Sequence, residues 1–243
     1  TNSLTSFRSG GNILATYIGG DCVARNGVSL QQKADIIPVN KFDCPPRSPQ
    51  DFRIPAQGTQ IRVIEVIDKQ LITNGLTVAA AIHNGDYVTD VGRDILKIAV
   101  VNRYADAPVA VGFITAFGLK RGAIASSVAH DSHNIVAVGT NDNDLCNAVN
   151  AIIHHKGGVS ISNGNNTRIV PLDIAGLMSS MDGYTVAARY AELDTKARAL
   201  GSRLTSPFMS LSFMALLVIP ALKMSDKGLF DCTSFGFTTL AAP

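Results

Sequence analysis

The stretch NIVAVGTNDNDLCNAVNAIIHHKGG, residues 134–158, switches its hydrophobic period halfway along. Its first half, NIVAVGT, is an unbroken apolar run, the pattern of a strand in a sheet covered on both faces. From Asp142 the apolar residues recur at Leu145, Ala148, Val149, Ile152 and Ile153. That i, i+3, i+4, i+7, i+8 stripe predicts an amphipathic helix over 142–156. Asp142 and Asp144 complement the positive N-terminal end of such a helix, and His154, His155 and Lys156 its negative C-terminal end. Gly157 can stop it in the left-handed conformation. The HHK triplet is therefore read as helix-end charge, not as metal ligands.

On the N-terminal side, IRVIEVI (61–67) alternates as a strand with one wet face does. LTVAAAI (76–82), ILKIAVVNRY (95–104) and VAVGFI (109–114) continue in strand-rich composition. On the C-terminal side, GVSIS (158–162) and TRIVPL (167–172) flank a turn at Asn163-Gly164. A second helix is predicted over 184–200, with Val186, Ala187, Tyr190, Ala191, Leu193 and Ala197 on its apolar face. A third is signalled by Ser206 as N-cap and Pro207 at the first helical position, ending before Pro220. The fold class that follows is α/β or α+β: a mixed β-sheet layered with about three helices. Residues 13–30 carry short apolar runs punctuated by Gly19-Gly20 and Asn26-Gly27, which is hairpin patterning. Residues 38–52 hold four prolines in fifteen positions and read as a linker ahead of the larger unit.

The 243 residues are 46% hydrophobic and 16% charged, enough to bury a sizeable core. A net charge of +2, with no Trp, argues against a nucleic-acid surface. Cys22, Cys44, Cys146 and Cys232 are widely spaced, form no CxxC pair, and read as reduced thiols of a cytoplasmic protein. No secretory signal is visible, and the most apolar segment, 207–222, is too short to span a bilayer. The chain opens at Thr1, which suits a processed product or a piece of a longer protein. There is no P-loop, no GxSxG, no GxGxxG and no HxH. Only two glutamates occur, Glu65 and Glu192, both on solvated faces of their patterns.

The chemistry concentrates just before NIVAVGT, in SSVAHDSHN, where two of the five histidines stand. His130 and His133 are three apart, so on a helical turn they could share a metal with Asp131 nearby. Ahead of a strand, i and i+3 point to opposite faces instead. A hydrogen-bonded structural loop is a second reading, because Asp, Ser and Asn stabilise turns through local backbone contacts. A substrate-facing loop is the third, with Asp131 fixing the tautomer of one imidazole.

Several long blocks carry a family resemblance. AFGLKRGAIASSVAHDSHNIVAVGTND (116–142), VPLDIAGLMS (170–179), SPFMSLSFMALLVIPALKMSDKGLFD (206–231) and DILKIAVVNRY (94–104) resemble the C-terminal domain of bacterial adenine deaminases. The likeness runs over residues 62–240, about three quarters of the chain. NSLTSFR and NILATYIGGDCVARNGVSL (2–8 and 12–30) resemble the stretch that follows the catalytic barrel of amidohydrolases. The resemblance implies three segments: 1–37, a remnant of the small β-domain after that barrel; 38–51, the linker; and 52–243, the adenine deaminase C-terminal domain.

It further implies a full-length enzyme in which a preceding (β/α)8 barrel supplies the HxH pair and holds a divalent metal, manganese, iron or zinc. Adenine and water would give hypoxanthine and ammonia by attack of metal-activated hydroxide at purine C6. Within this chain the implied catalytic residues are His130, Asp131 and His133, and the implied substrate-binding residues are Ser126, Ser127 and Asn134. The expected partners are adenine or a related purine, the catalytic barrel and further copies of the chain, with no nucleic acid and no membrane. The chain alone is expected to be inactive, and to self-associate through a bare apolar surface. The rival reading is a free-standing binding or assembly module without catalysis.

Overall fold

The computed structural model describes residues 13–32, 36 and 39–242. The segment NSLTSFR and Pro38 lie outside the described residues. The chain divides into two compact units, Thr1–Ile37 and Pro38–Pro243.

In the first unit, β1 (Ala15–Ile18), β2 (Asp21–Arg25) and β3 (Val28–Ser29) form an antiparallel three-stranded meander. Its turns fall at Gly19-Gly20 and Asn26-Gly27, where all four residues have positive φ. The expected hairpin thus has a third strand.

The second unit contains β4 (Gln60–Val66), β5 (Thr73–Ala79), β6 (Ala81–His83), β7 (Asp86–Val88), β8 (Leu96–Val101), β9 (Ala110–Thr115), β10 (Ala123–Ser126) and β11 (Ile135–Gly139). Next come α1 (Asp142–His154), β12 (Gly158–Asn163), β13 (Asn166–Pro171), α2 (Gly183–Ala199) and α3 (Pro207–Phe213). The last strands are β14 (Leu222–Ser225), β15 (Gly228–Asp231) and β16 (Gly236–Phe237). Eight strands form one sheet in the order β13-β12-β10-β11-β8-β9-β4-β5, antiparallel throughout except for the parallel pair β4 and β9. The architecture is α+β, with three helices and a mixed sheet. Among the described residues no helix is long and apolar enough to cross a membrane.

The central strands β8 and β11 are buried along their whole length, as unbroken apolar runs require. Alternation splits their side chains between two cores. Leu96, Ile98, Val100, Val136 and Val138 join Leu193 and Ala197 of α2 and Phe208 and Leu211 of α3. Ala99, Val101, Ile135 and Ala137, with Ala123 and Ala125, meet Leu145, Cys146, Ala148, Val149 and Ile152 of α1 on the other face. The predicted stripe of α1 is the buried one. On α2 the apolar face is narrower than its sequence suggests: Ala187 and Ala191 are exposed, because only one edge of this helix lies on the sheet.

The α1 face of the sheet is floored by small residues, which lets the helix approach closely. Asn141 caps α1 by accepting from the Asp144 N–H at 2.8 Å. Lys97, 2% exposed, donates to Asp142 at 2.6 Å and to the Phe52 carbonyl at 2.8 Å, so its buried charge is paired. The helix ends two residues earlier than its charge pattern implies. Lys156 adopts φ 54° ahead of Gly157, so the left-handed stop involves both.

Helix α3 is also shorter than expected. It stops at Phe213, and 214–220 run on as turns. The proline-rich segment clusters with the second unit: Cys44 and Phe52 are buried, and the Arg47 N–H donates to Asn150 of α1 at 2.8 Å. All four cysteines are free thiols.

Gly139 marks the tightest point under α1. A Cβ built there would sit 2.7 Å from Ala123 Cβ and 2.8 Å from Leu145 Cγ. Gly139→Ala should cost about 1–3 kcal/mol by overpacking, read from urea denaturation midpoints. Adding Ala123→Gly should recover part of that loss, because it removes the nearer clash.

Candidate functional site

Strands β10 and β11 pair from Ala123↔Gly139 to Ser126↔Val136, so residues 127–134 form the loop that joins them. Inside it the His133 N–H donates to the Ala129 carbonyl at 2.7 Å, closing a turn. That turn brings His130 and His133 together, with ring centroids 6.2 Å apart, although no helix is present. The His130 ring stacks on Phe213 at the end of α3, centroids 4.9 Å apart and planes 4° from parallel. Its backbone N–H donates to the Ser212 carbonyl at 3.2 Å, which docks the loop on α3.

Beneath the loop lies Arg103, just after β8 and only 5% exposed. Its guanidinium sits over the rings of Phe42 (5.1 Å) and Tyr104 (4.8 Å). Nη1 donates to the Ala175 carbonyl at 2.8 Å and Nη2 to the Tyr104 hydroxyl at 3.0 Å. Tyr104 in turn donates to the Ser132 carbonyl at 2.8 Å, and the Arg103 N–H to Asn134 Oδ1 at 3.3 Å. Gly176 has φ +68°, and a Cβ there would lie 1.9 Å from Arg103 Nη1. Only glycine lets the 174–176 turn close over the guanidinium. Two buried polar atoms at this place, Arg103 Nε and His133 Nδ1, have no hydrogen-bond partner among the described residues.

His133 has φ 52° and a pKa held below the ordinary histidine value. Burial is the main cause, followed by the Arg103 guanidinium and then His130, with Asp131 acting in the opposite direction. At neutral pH the imidazole is therefore uncharged. Asp131 is exposed and bonds neither imidazole, so the expected tautomer-fixing contact is absent and only its charge reaches His133.

Asn134 is buried and committed to Arg103. The Ser126 hydroxyl accepts from the Val128 N–H at 3.0 Å. The Ser127 hydroxyl donates to the Gly176 carbonyl at 2.6 Å and accepts from the Gly158 N–H at 2.9 Å. The structure thus groups His130, Asp131 and His133 at the loop surface, with Ser126, Ser127 and Asn134 bonded to backbone beneath them.

Sequence reasoning missed Arg103, Tyr104 and Phe213. The available signal was NRY: an arginine directly after six buried strand positions needs partners on arrival.

Among the described residues no group of three His, Cys, Asp or Glu is arranged to hold a metal ion. The two imidazoles also lie near a buried guanidinium, with one exposed carboxylate beside them. These residues do not fit a divalent metal centre.

The depressed pKa of His133 links stability to pH. The unfolded chain takes up its proton near pH 6.5, whereas the folded loop resists it until lower pH, so stability is lost as pH falls from about 6.5 through the folded value. Urea midpoints measured between pH 7.5 and 5 should fall less for His133→Gln than for the unsubstituted chain. Identical slopes would show that His133 is not held neutral.

Comparison with known proteins bears on the whole second unit. The family model described as adenine deaminase C-terminal domain matches residues 70–236. An adenine deaminase of Methanosarcina barkeri is 47% identical over 239 residues, 95% of this chain and 43% of that protein. Proteins of the same name from Salinibacter ruber and Borreliella burgdorferi are 49% and 46% identical, over 93% and 91% of this chain and 42% and 41% of theirs. The chain therefore spans less than half the length of the curated relatives it matches. With two thirds of its residues inside the family model and near half of them shared with these relatives, the chain belongs to the adenine deaminase C-terminal domain family.

Proposed function

We propose that this chain acts as the C-terminal part of an adenine deaminase, whose reaction takes adenine and water to hypoxanthine and ammonia. The observation that carries the reading is the 45–49% identity over more than nine tenths of this chain to proteins named adenine deaminase. In this reading the preceding part of the enzyme, the barrel implied by the sequence resemblance, contributes the divalent metal centre, of manganese, iron or zinc. The metal, when bound, supplies the activated water. The residues of this chain supply the wall next to it, and they are not its ligands.

The wall is the loop 127–134. His133 is neutral near pH 7, and with Nδ1 buried it would meet a purine through Nε2, which can accept or donate one hydrogen bond. His130 is held flat against Phe213 and presents the rest of its ring at the loop surface. Asp131 adds a negative charge at the rim. Ser126, Ser127 and Asn134 act from below, because a loop that must meet a purine has to be rigid before the purine arrives. Segment 1–37 is then the remnant of the small β-domain, and 38–51 joins it to the domain 52–243. The enzyme is further proposed to be homo-oligomeric, and to be cytoplasmic, the latter supported by four free thiols.

A second reading, a binding or assembly module without chemistry, is favoured by one observation: the described residues offer no metal-holding group. One measurement tests what both readings expect of the isolated chain, and a second separates them. Purified chain, with or without added manganese, iron or zinc, should release no ammonia from adenine. Turnover at an ordinary enzymatic rate, about 1 to 10³ per second, would mean that the chemistry resides here. In the full-length parent enzyme, His130→Ala and His133→Ala should each lower kcat while bound metal and folded content stay unchanged. A loss of about 10²-fold or more in either would assign that histidine a proton-transfer role. Unchanged turnover in both variants would make the loop structural, and loss of stoichiometric metal in both would make the histidines ligands.

A further inference from the structure

Four large apolar side chains stand exposed in residues 71–72 and 209–218: Leu71 (43%), Ile72 (46%), Met209 (52%) and Val218 (61%). They come from two stretches of chain that are pinned together. The Thr73 N–H donates to the Pro220 carbonyl and the Ala221 N–H to the Thr73 carbonyl, both at 2.9 Å. Buried Lys223 holds the Leu71 carbonyl at 2.7 Å. Leu71, Met209 and Phe213 line a single cleft of about 160 Å³. Asp68 clamps its two walls to each other, accepting from the Thr205 N–H at 2.9 Å and the Thr205 hydroxyl at 2.7 Å. The cleft is therefore formed before anything enters it.

Phe213 belongs to both places. It lines this cleft and stacks on His130, so the apolar patch runs directly into the candidate loop. Grouped apolar side chains of this kind mark a surface that another protein surface covers. We propose that the cleft between residues 68–72 and α3 is the seat for the part of an adenine deaminase that lies outside this chain. The inference rests on the functional reading above and deepens it. Two facts choose this occupant. The relatives carry more than half of their length beyond the matched portion, and Phe213 both lines the cleft and stacks on His130, so a body seated there lies beside the candidate loop. The seat and the catalytic wall are then one continuous interface, and docking is what delivers the loop to the reacting centre.

Hydroxyl-radical footprinting of the unsubstituted chain and of the full-length parent enzyme tests the seat without any substitution. Labelling of Leu71 and Met209 should fall severalfold in the parent, while Phe235, exposed on the small C-terminal sheet, labels equally in both. Met209→Arg in the parent should restore labelling of Leu71 and lower kcat. Equal labelling of Leu71 and Met209 in the two proteins would overturn the seat. Protection that already appears in the isolated chain and grows with its concentration would overturn it in favour of a second copy. Ammonia release from adenine by the unsubstituted parent reads the functional reading separately. A parent that deaminates adenine but leaves Met209 labelled refutes only the seat. A parent that protects Met209 but releases no ammonia upholds the seat and refutes deamination.

Discussion

Burial of the Arg103 guanidinium is the constraint on which the functional end of this domain depends. A buried cation is tolerated only when aromatic faces and carbonyl oxygens replace its water. Phe42 and Tyr104 supply the faces, Ala175 and Tyr104 the oxygens. The Arg103 backbone is used as well: its carbonyl accepts from Asp43 at 2.8 Å and its N–H donates to Asn134. Three segments distant in sequence, near residues 42, 134 and 175, are thereby fixed around one residue. The Arg103 charge also acts on the loop above it and helps keep His133 neutral.

The sheet supplies the rigidity that such a site needs. Its central strands are covered on both faces, by α1 on a floor of alanines and by α2 and α3 on branched residues. The loop 127–134 leaves β10 and enters β11, two strands hydrogen-bonded to each other and to further strands outside them. Its ends are therefore among the least mobile points of the domain, while its middle reaches the surface. Ser127 extends the same logic sideways, tying the loop to Gly158 and Gly176 and so to the turn that encloses Arg103.

The distribution of chemistry across the loop follows from this mounting. The groups that face inward are bonded to backbone and to Arg103. The imidazoles stay near the surface, one stacked and one desolvated. A neutral imidazole next to a guanidinium is a poor metal ligand.

The helices and buried strands were legible in the sequence because each obeys a local period. The stripe of α1, the unbroken run of β11 and the turns at Asn26-Gly27 and Asn163-Gly164 all follow from side-chain spacing and backbone preference. The concentration of His, Asp and Asn at 130–134 was legible too, and long blocks of sequence named the family. The width of the α2 apolar face was not, since which alanines are covered depends on where the sheet lies. Nor could spacing show that His130 and His133 approach each other, because a turn closed by a backbone hydrogen bond, with His133 at positive φ, replaces both helix and strand there. Arg103 was the larger omission. Apart from the adjacent Tyr104, its partners come from residues 42, 134 and 175, and no local pattern records a contact between segments so far apart. Composition and periodicity determined the layers; only the tertiary packing decided which charge lies beneath the loop and how the loop titrates.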